Sequence, residues 1–144
     1  MPVTDDAGLK RILSETRRVA VLGIKPESRA HRPAHYVPRY LAGAGYEIVP
    51  VPVYYPEVTQ ILGQPVYRRL RDVPGAIDVV EVFRKPADVP QHVADILASR
   101  PRVVWLQAGI RHNDAEAAFE AAGIGVVHDR CMMVEHERLL GEGS

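Results

Sequence analysis

The chain has 144 residues, 18 Lys plus Arg balanced by 18 Asp plus Glu, and a single cysteine, Cys131. This length predicts one domain, spanning residues 1–144, with a sizeable core. The zero formal net charge excludes a general attraction to nucleic acid or anionic membrane, and the single cysteine excludes a disulfide framework and a cysteine-rich zinc site.

The N-terminal stretch MPVTDDAGLK carries acids before any apolar run and lacks the core of a signal peptide. No apolar run in the sequence approaches the ~20 residues that a membrane span needs. We therefore expect a cytoplasmic protein without membrane association. The segment TDDAGLKRIL predicts the first helix, with Thr4 as its N-cap and Leu9 and Leu13 on the buried face.

Five apolar runs rich in Val and Ile predict the strands. Most of them lack polar alternation, which is typical of parallel strands covered on both faces. In chain order they are VAVLGI (19–24), EIVPVPV (47–53), DVVEVF (78–83), VVWLQ (103–107) and GVVHD (125–129).

Helical patterns lie between most of these runs. The second helix is predicted from Tyr36 to Ala42, since Pro38 is tolerable only in a first turn. Capping-box signatures predict helices that begin near Asp88 and near Asn113, and MVEHERLL predicts a last short helix. Residues 54–77 carry only weak helical and strand signals.

This alternation predicts an α/β, Rossmann-like fold: a doubly wound, mainly parallel five-stranded sheet with helices on both faces. We expect the five predicted strands to lie in the order 3-2-1-4-5. The sheet then changes direction beside the first strand, and ligands of such sheets bind at that switch point, outside the C-terminal strand ends.

The loop GIKPESRAHRPAH (23–35) leaves the first strand at this switch point and gathers cations in a chain that has no net charge. Lys25, Arg29 and Arg32, with the N-terminus of the next helix, favour a phosphate or pyrophosphate. The alternative is a solvated loop whose arginines pair with acids elsewhere. His35 is either part of the anion site or an ordinary histidine at the surface end of a helix.

A nicotinamide or flavin dinucleotide fits this loop poorly. Its fingerprint needs G-x-G-x-x-G after the first strand and an acid at the tip of the second. The loop offers Gly23 alone, and the second strand ends in PVPV, without a carboxylate. The P-loop pattern is also absent. A nucleotide that carries extra phosphate, with its adenine on apolar backbone, suits Pro52 and Val53 better.

The ordered segments VAVLGIKPES, HRPAHYVPRYL, GYEIVPVPV, ILGQPVY, DVVEVFR, VVWLQAGI and VVHDRCMMVEHERL carry a resemblance over most of the chain. From about Arg17 to Leu140 the sequence resembles the small CoA-binding protein family. The fold of that family is similar to the N-terminal CoA-binding domain of the succinyl-CoA synthetase alpha subunit. The resemblance implies coenzyme A as the cofactor.

It also implies site residues at four strand ends. The pyrophosphate would lie among Gly23, Ile24, Lys25 and Ser28, and the adenosine against Pro52 and Val53. The pantetheine would lie beside Val82, Phe83 and Arg84, and the far side of the site would be closed by Gln107 and Gly109. Family members often have a small hydroxyl residue where Lys25 stands. From charge and position, Arg29 or Arg32 is expected to reach a phosphate.

Other reactive residues give weaker signals. Cys131 is either a thiol that reacts with CoA or acts as a nucleophile beside Arg130, or a small buried apolar residue. The histidines have no recognisable metal-ligand spacing, so we expect no metal. Asp78 and Glu81 are expected to be solvated or capping acids.

We therefore predict a protein that binds CoA or an acyl-CoA, as a binding or regulatory module without autonomous catalytic activity. Ligases of the synthetase type use a phosphorylated histidine, and neither His128 nor His136 matches such a position. One alternative is an NAD(P)-dependent oxidoreductase, recommended only by the fold. Another is a subunit that completes a multi-chain acyl-CoA ligase, in which a protein partner or a second copy covers Val134, Leu139 and Leu140.

Overall fold

A computed structural model describes residues 1–141, so the last three residues of the predicted domain lie outside the described part. Across residues 1–141, five α-helices and seven strands follow one another along the sequence. They are α1 (Asp6–Glu15), β1 (Arg18–Leu22), α2 (Pro33–Gly43), β2 (Glu47–Val51), β3 (Gln60–Ile61), β4 (Gln64–Pro65), β5 (Val79–Val82), α3 (Val93–Ser99), β6 (Val103–Leu106), α4 (Asn113–Ala121), β7 (Gly125–Val127) and α5 (Met132–Leu140).

The five longer strands form one parallel sheet in the order β2-β1-β5-β6-β7. Alternate side chains of each strand enter two apolar cores, one on each face. In β1, Val19 and Val21 pack with α1, α2 and α5, while Ala20 and Leu22 pack on the face of α3 and α4. The predicted doubly wound α/β fold is confirmed.

The predicted strand order, 3-2-1-4-5, is wrong, because the third predicted strand, β5, pairs with β1 and not with β2. The outer edge of β2 is occupied instead by the chain after the β3–β4 hairpin, where the Tyr67 N–H donates to the Pro50 carbonyl at 3.0 Å. In the numbering of the prediction the order is 2-1-3-4-5. The direction still changes beside the first strand, now between β1 and β5.

Three helix starts differ from the prediction. The N-cap of α1 is Asp5, whose carboxylate accepts the Gly8 N–H at 3.3 Å. Helix α2 begins at Pro33, so Pro38 lies in its interior and not in its first turn. The capping box at Asp88 does not form, because residues 86–92 make two 3₁₀ turns before α3.

Within residues 1–141, none of the helices combines the length and apolar character needed to cross a membrane.

Candidate functional site

The turn after β1 brings three strand ends together. Gly23 has φ 89°, a left-handed conformation that favours glycine, and a Cβ there would overlap the Phe83 carbonyl oxygen. The Gly23 N–H donates to the Val51 carbonyl, and the Phe83 N–H donates to the Leu22 carbonyl, both at 2.9 Å. The loop therefore approaches the end of β5 more closely than a residue with a side chain would allow.

The backbone of Lys25 is held at both of its polar groups by α2. Its N–H donates to the Ala34 carbonyl at 3.1 Å, and its carbonyl accepts from the His35 Nδ1 at 2.9 Å. Pro38 has no N–H with which to bind Ala34 within the helix, which leaves that carbonyl available to the loop. His35 is buried, with 1 % exposure, so its role is to fix the loop and the surface interpretation is wrong.

A cleft of about 690 Å³ opens at the C-terminal ends of β1, β5 and β6, beside the turn at Gly23. Its walls come from the start of α2, the segment after β5, the segment after β6 and the residue before α5. The lining includes Lys25, Arg32, Ala34, Tyr36, Val37, Tyr54, Phe83, Arg84, Lys85, Asp88, Gln107, Ile110 and Cys131. A smaller cavity of about 50 Å³ adjoins it and adds Gly23, Ile24, Val53 and Tyr55.

The charge of this cleft is strongly unbalanced. Four cations line it, namely Lys25, Arg32, Arg84 and Lys85, against one acid, Asp88. Another cavity, of about 520 Å³, lies near the beginnings of β1 and β2, and its charged lining is one arginine and one glutamate in addition to a histidine. The cationic excess is therefore a property of the cleft and not of the surface as a whole.

Arg84 lies in the wall shared by both cavities, with 9 % of its side chain exposed. Its Nε donates to the His92 Nε2 at 3.1 Å, and its guanidinium carbon lies 5.4 Å from the centre of the Tyr54 ring. The nearest Asp88 oxygen is 3.6 Å away, beyond a normal hydrogen bond. Because the ion pair of this buried guanidinium with Asp88 is long and its other partners are neutral, an anion in the cleft would add favourable contacts to it.

Two tyrosines after β2 form another wall of the cleft. Tyr55 has φ 64°, and Lys25 Nζ lies 5.8 Å from the centre of its ring. The guanidinium of Arg68 donates to the carbonyls of Tyr54, Tyr55 and Val58 at 2.7–3.1 Å, which fixes the course of this loop. Two adjacent aromatic residues at the end of a strand are visible in the sequence, and our prediction did not use them. No local sequence pattern indicates the contacts of Arg68 with this loop.

The predicted site residues divide into two groups. Those that line the cleft or the cavity beside it are Gly23, Ile24, Lys25, Arg32, Val53, Phe83, Arg84 and Gln107. The others, outside both linings, are Ser28, Arg29, Pro52, Val82 and Gly109.

Of the five residues outside the linings, some are exposed and others are buried. Ser28 and Arg29 lie on an exposed 3₁₀ turn, and Pro52 and Val82 are buried at strand ends. The Gly109 N–H donates to the Asp129 carboxylate at 2.6 Å. None of these five residues lines the cleft or the cavity beside it.

Cys131 is half-buried at the N-cap of α5. It lines the cleft and also packs partly against the core on the face of α1, α2 and α5, so its position has features of both interpretations. Gln107 is fixed beside it, since its Oε1 accepts the Met132 N–H at 3.0 Å. Within the described residues, no group of three His, Cys, Asp or Glu side chains is arranged to hold a metal ion.

The two acids around β5 behave differently. The Asp78 carboxylate accepts the backbone N–H groups of Arg17 and Arg18 at 3.0 and 2.9 Å, which is a capping role. Glu81 is wholly buried, and neither of its carboxyl oxygens has a hydrogen-bond partner among the described residues. Burial raises its pKa to about 8, so our expectation of a solvated or capping acid is wrong for Glu81.

Comparison with known proteins identifies the family. Residues 17–137 match the model of the CoA binding domain. An uncharacterized protein of Bacillus subtilis, YneT, is 33% identical over 130 residues, which cover 90% of this chain and 93% of YneT. A Thermus thermophilus protein of known structure, cell-free ID.343, is 43% identical with a TM-score of 0.87, over 95% of this chain and 100% of that chain.

A more distant similarity concerns the fold alone. The dinucleotide-forming acetyl-coenzyme A synthetase 1 of Ca. Korarchaeum cryptofilum superposes with a TM-score of 0.68 at 17% identity, over 84% of this chain and 27% of that one. The family model spans most of the sequence, including every strand of the main sheet. The chain therefore belongs to the CoA binding domain family.

Proposed function

We propose that the protein binds coenzyme A or an acyl-CoA in the cleft at the C-terminal edge of the sheet. The observation that carries this proposal is the excess of four cations over one acid in a cleft whose other walls are aromatic and aliphatic. CoA combines a diphosphate and a 3′-phosphate with a long, weakly polar pantetheine arm. A volume of about 690 Å³ lies within the range of ligand pockets.

The residues present suit the parts of this ligand. Lys25, Arg32, Arg84 and Lys85 would hold the phosphates, aided by the N-terminal end of α2. Tyr36, Val37, Phe83 and Ile110 offer apolar surface to the pantetheine arm, and Val53 and Tyr54 to the adenosine. Ser28, Arg29, Pro52, Val82 and Gly109 remain predicted contacts at the margins.

We also propose that the protein is a binding or regulatory module without autonomous catalysis. The titratable groups that line the cleft are cations, tyrosines, Asp88 and Cys131. The hydrogen-bonded pair of His128 and Glu116, 2.6 Å apart, is the sort of pair that could move a proton, but neither residue lines the cleft. A nicotinamide cofactor is disfavoured because the tip of β2 leads into Pro52, Val53 and two tyrosines, without a carboxylate for a ribose.

The role of a subunit within a larger ligase receives less support from the surface of α5. Of the three apolar residues expected to be covered by a partner, Val134 is 49% exposed. Leu139 and Leu140 instead pack partly against the core of their own chain. One exposed valine is ordinary for a protein surface.

Titration calorimetry and thermal unfolding with CoA, dephospho-CoA and NADPH test the proposal. CoA at 100 times its Kd should stabilise the protein by ~2.7 kcal/mol, and NADPH should stabilise it less. The substitution Arg84→Gln should weaken CoA binding by about 10- to 100-fold, which is the loss of affinity expected when one charge-assisted hydrogen bond is removed. Arg11→Gln is the matched control, since it removes a cation from the exposed side of α1.

Alkylation of Cys131 gives a second readout. Because this thiol lines the cleft, bound CoA should slow its reaction with iodoacetamide. The proposal would be contradicted if millimolar CoA neither stabilised the protein against unfolding nor slowed the alkylation of Cys131.

A further inference from the structure

Among the described residues, the Arg84 guanidinium combines a hydrogen bond to a neutral acceptor with a long ion pair and an aromatic contact. Its Nε donates to the His92 Nε2 at 3.1 Å, while the nearest carboxylate oxygen, on Asp88, is 3.6 Å from its terminal nitrogen. The Tyr54 ring lies against the guanidinium but accepts no directed hydrogen bond from it. His92 therefore supplies the directed contact that orients Arg84 in the cleft wall, beside the looser contacts with Asp88 and Tyr54.

The same ring nitrogen faces a second donor. The side-chain amide of Gln91 places its Nε2 3.2 Å from the His92 Nε2. Two N–H groups directed at one nitrogen require that nitrogen to carry a lone pair, so the imidazole is neutral with its proton on Nδ1. Both hydrogen bonds are lost when Nε2 is protonated.

We propose that His92 is a positioning residue whose unprotonated Nε2 holds the Arg84 guanidinium against the cleft, so that CoA binds less tightly once His92 is protonated. This inference rests on the proposed function, because it assigns to CoA the anion that Arg84 contacts. It adds a pH-dependent control of the site by a residue that lines neither cavity.

Three charged groups face the imidazole. Burial and the charge of Arg84 lower the pKa of His92, and the carboxylates of Asp95 and Asp88 oppose that shift. Asp95 is already engaged, since it accepts from the Arg71 Nε at 2.9 Å and from the Leu70 N–H at 2.7 Å. Because these effects leave the pKa of His92 below its ordinary value of 6.5, the imidazole is neutral at pH 7 and gains its proton at a lower pH than an ordinary histidine does.

Protonation has two opposite effects on an anionic ligand. The new charge on His92 attracts the ligand. For partly buried groups about 7 Å apart, at an effective dielectric constant of about 20 and screened by about 0.15 M salt, one unit charge changes affinity about fivefold. Displacing Arg84 removes a charge-assisted hydrogen bond, which is worth about 10- to 100-fold. The loss is larger, so we expect acid to weaken binding.

The test compares the wild type with His92→Gln, whose side-chain oxygen supplies an acceptor near the position of Nε2 and does not titrate. The Kd of CoA is measured by calorimetry at about pH 8 and at successively lower pH values, down to the lowest at which both proteins remain folded. Because the phosphates of CoA titrate identically in the two experiments, the ratio of the two Kd values isolates His92. We expect this ratio, wild type over variant, to rise about two- to twentyfold as His92 is protonated, which is the net of the lost bond and the added charge.

A ratio that stays constant with pH overturns the inference while leaving CoA binding intact. A protein that binds no CoA at either pH overturns the proposed function and the inference with it. His92→Leu adds a check at about pH 8, where it should bind CoA more weakly than either protein because it has no acceptor for Arg84.

A measurement without ligand separates the two proposals further. In NMR spectra, the Arg84 Nε–H signal, assigned by its disappearance in Arg84→Lys, should be sharp and protected from exchange at neutral pH. It should broaden in acid in the wild type and persist in His92→Gln. A signal that stays protected in acidified wild type shows that His92 does not hold Arg84, whatever CoA does.

Discussion

At the scale of single residues, Gly23 has the most constrained position at the site. It needs a left-handed φ of 89° and also leaves no room for a Cβ beside the Phe83 carbonyl. Gly123 has a similar φ of 81° but open space around it. Substituting each glycine therefore distinguishes the cost of backbone strain, which both positions carry, from the cost of steric overlap, which only Gly23 carries.

We expect Gly23→Ala to destabilise the protein by about 2–4 kcal/mol, against about 1 kcal/mol for Gly123→Ala, which carries the conformational cost alone. Gly23→Ala should also weaken CoA binding, because relief of the overlap moves the loop away from the end of β5. Urea unfolding and calorimetry of both variants check this. Equal destabilisation by the two substitutions would contradict the close approach.

Some residues of the site could be predicted from the sequence, and others could not. The basic loop after a strand predicted Lys25 and Arg32, because chain order alone places that loop at the ligand edge of a parallel sheet. Arg68 and His92 act through residues that lie 8 to 14 positions away in the chain. A contact of that kind follows from the course of irregular loops, for which the sequence has no periodic signal.

At the scale of elements, helix α2 and the basic loop form one unit. His35 is the third residue of α2, and its ring holds the Lys25 carbonyl, while the Ala34 carbonyl holds the Lys25 N–H. The cations of the loop are thus presented by backbone that is tied to the helix. The helix positions the candidate phosphate site as well as contributing its N-terminus.

We expect His35→Leu to weaken CoA binding and to lower stability by about 1–3 kcal/mol, because it leaves a buried carbonyl without its donor. His35→Asn should retain most of the affinity, since its amide N–H lies near the position of the His35 Nδ1. Calorimetry and hydrogen exchange at the Lys25 amide measure the two effects. If both variants bind CoA as the wild type does, the tie to α2 does not control the site.

The strand order shows what element-level patterns can and cannot predict. The apolar runs predicted every strand of the main sheet, since buried parallel strands need continuous apolar sequence. The position of β5 depended on residues 52–78, whose pattern is weak. Our prediction did not use Pro50, which lies within β2. A proline within a strand favours a position at the edge of a sheet, and β2 is an edge strand of the five-stranded sheet.

At the scale of the whole molecule, Glu81 couples the stability of the fold to pH. It lies on β5, in register with Val21 and Trp105 of the neighbouring strands, on the face of the core that packs against α1, α2 and α5. Because both of its oxygens are buried and have no hydrogen-bond partner within residues 1–141, the folded protein keeps this carboxyl protonated at neutral pH.

The direction of the effect follows from proton binding. The pKa of Glu81 is about 8 in the folded protein against 4.5 for an ordinary glutamate. Between these values the unfolded chain releases the proton and the folded protein keeps it, so the free energy of unfolding falls as pH rises. Below pH 4.5 and above pH 8 this contribution is constant.

Glu81→Gln removes the titration while keeping the size and polarity of the side chain. We expect the difference in unfolding free energy between this variant and the wild type to change by about 2.5 kcal/mol from pH 5 to pH 7, in favour of the variant at the higher pH. Urea unfolding at several pH values measures it, and the other titrating groups cancel in the difference. Parallel stability profiles for the two proteins would mean that Glu81 ionises in the folded state, and hence that water or a counter-charge reaches the centre of the sheet.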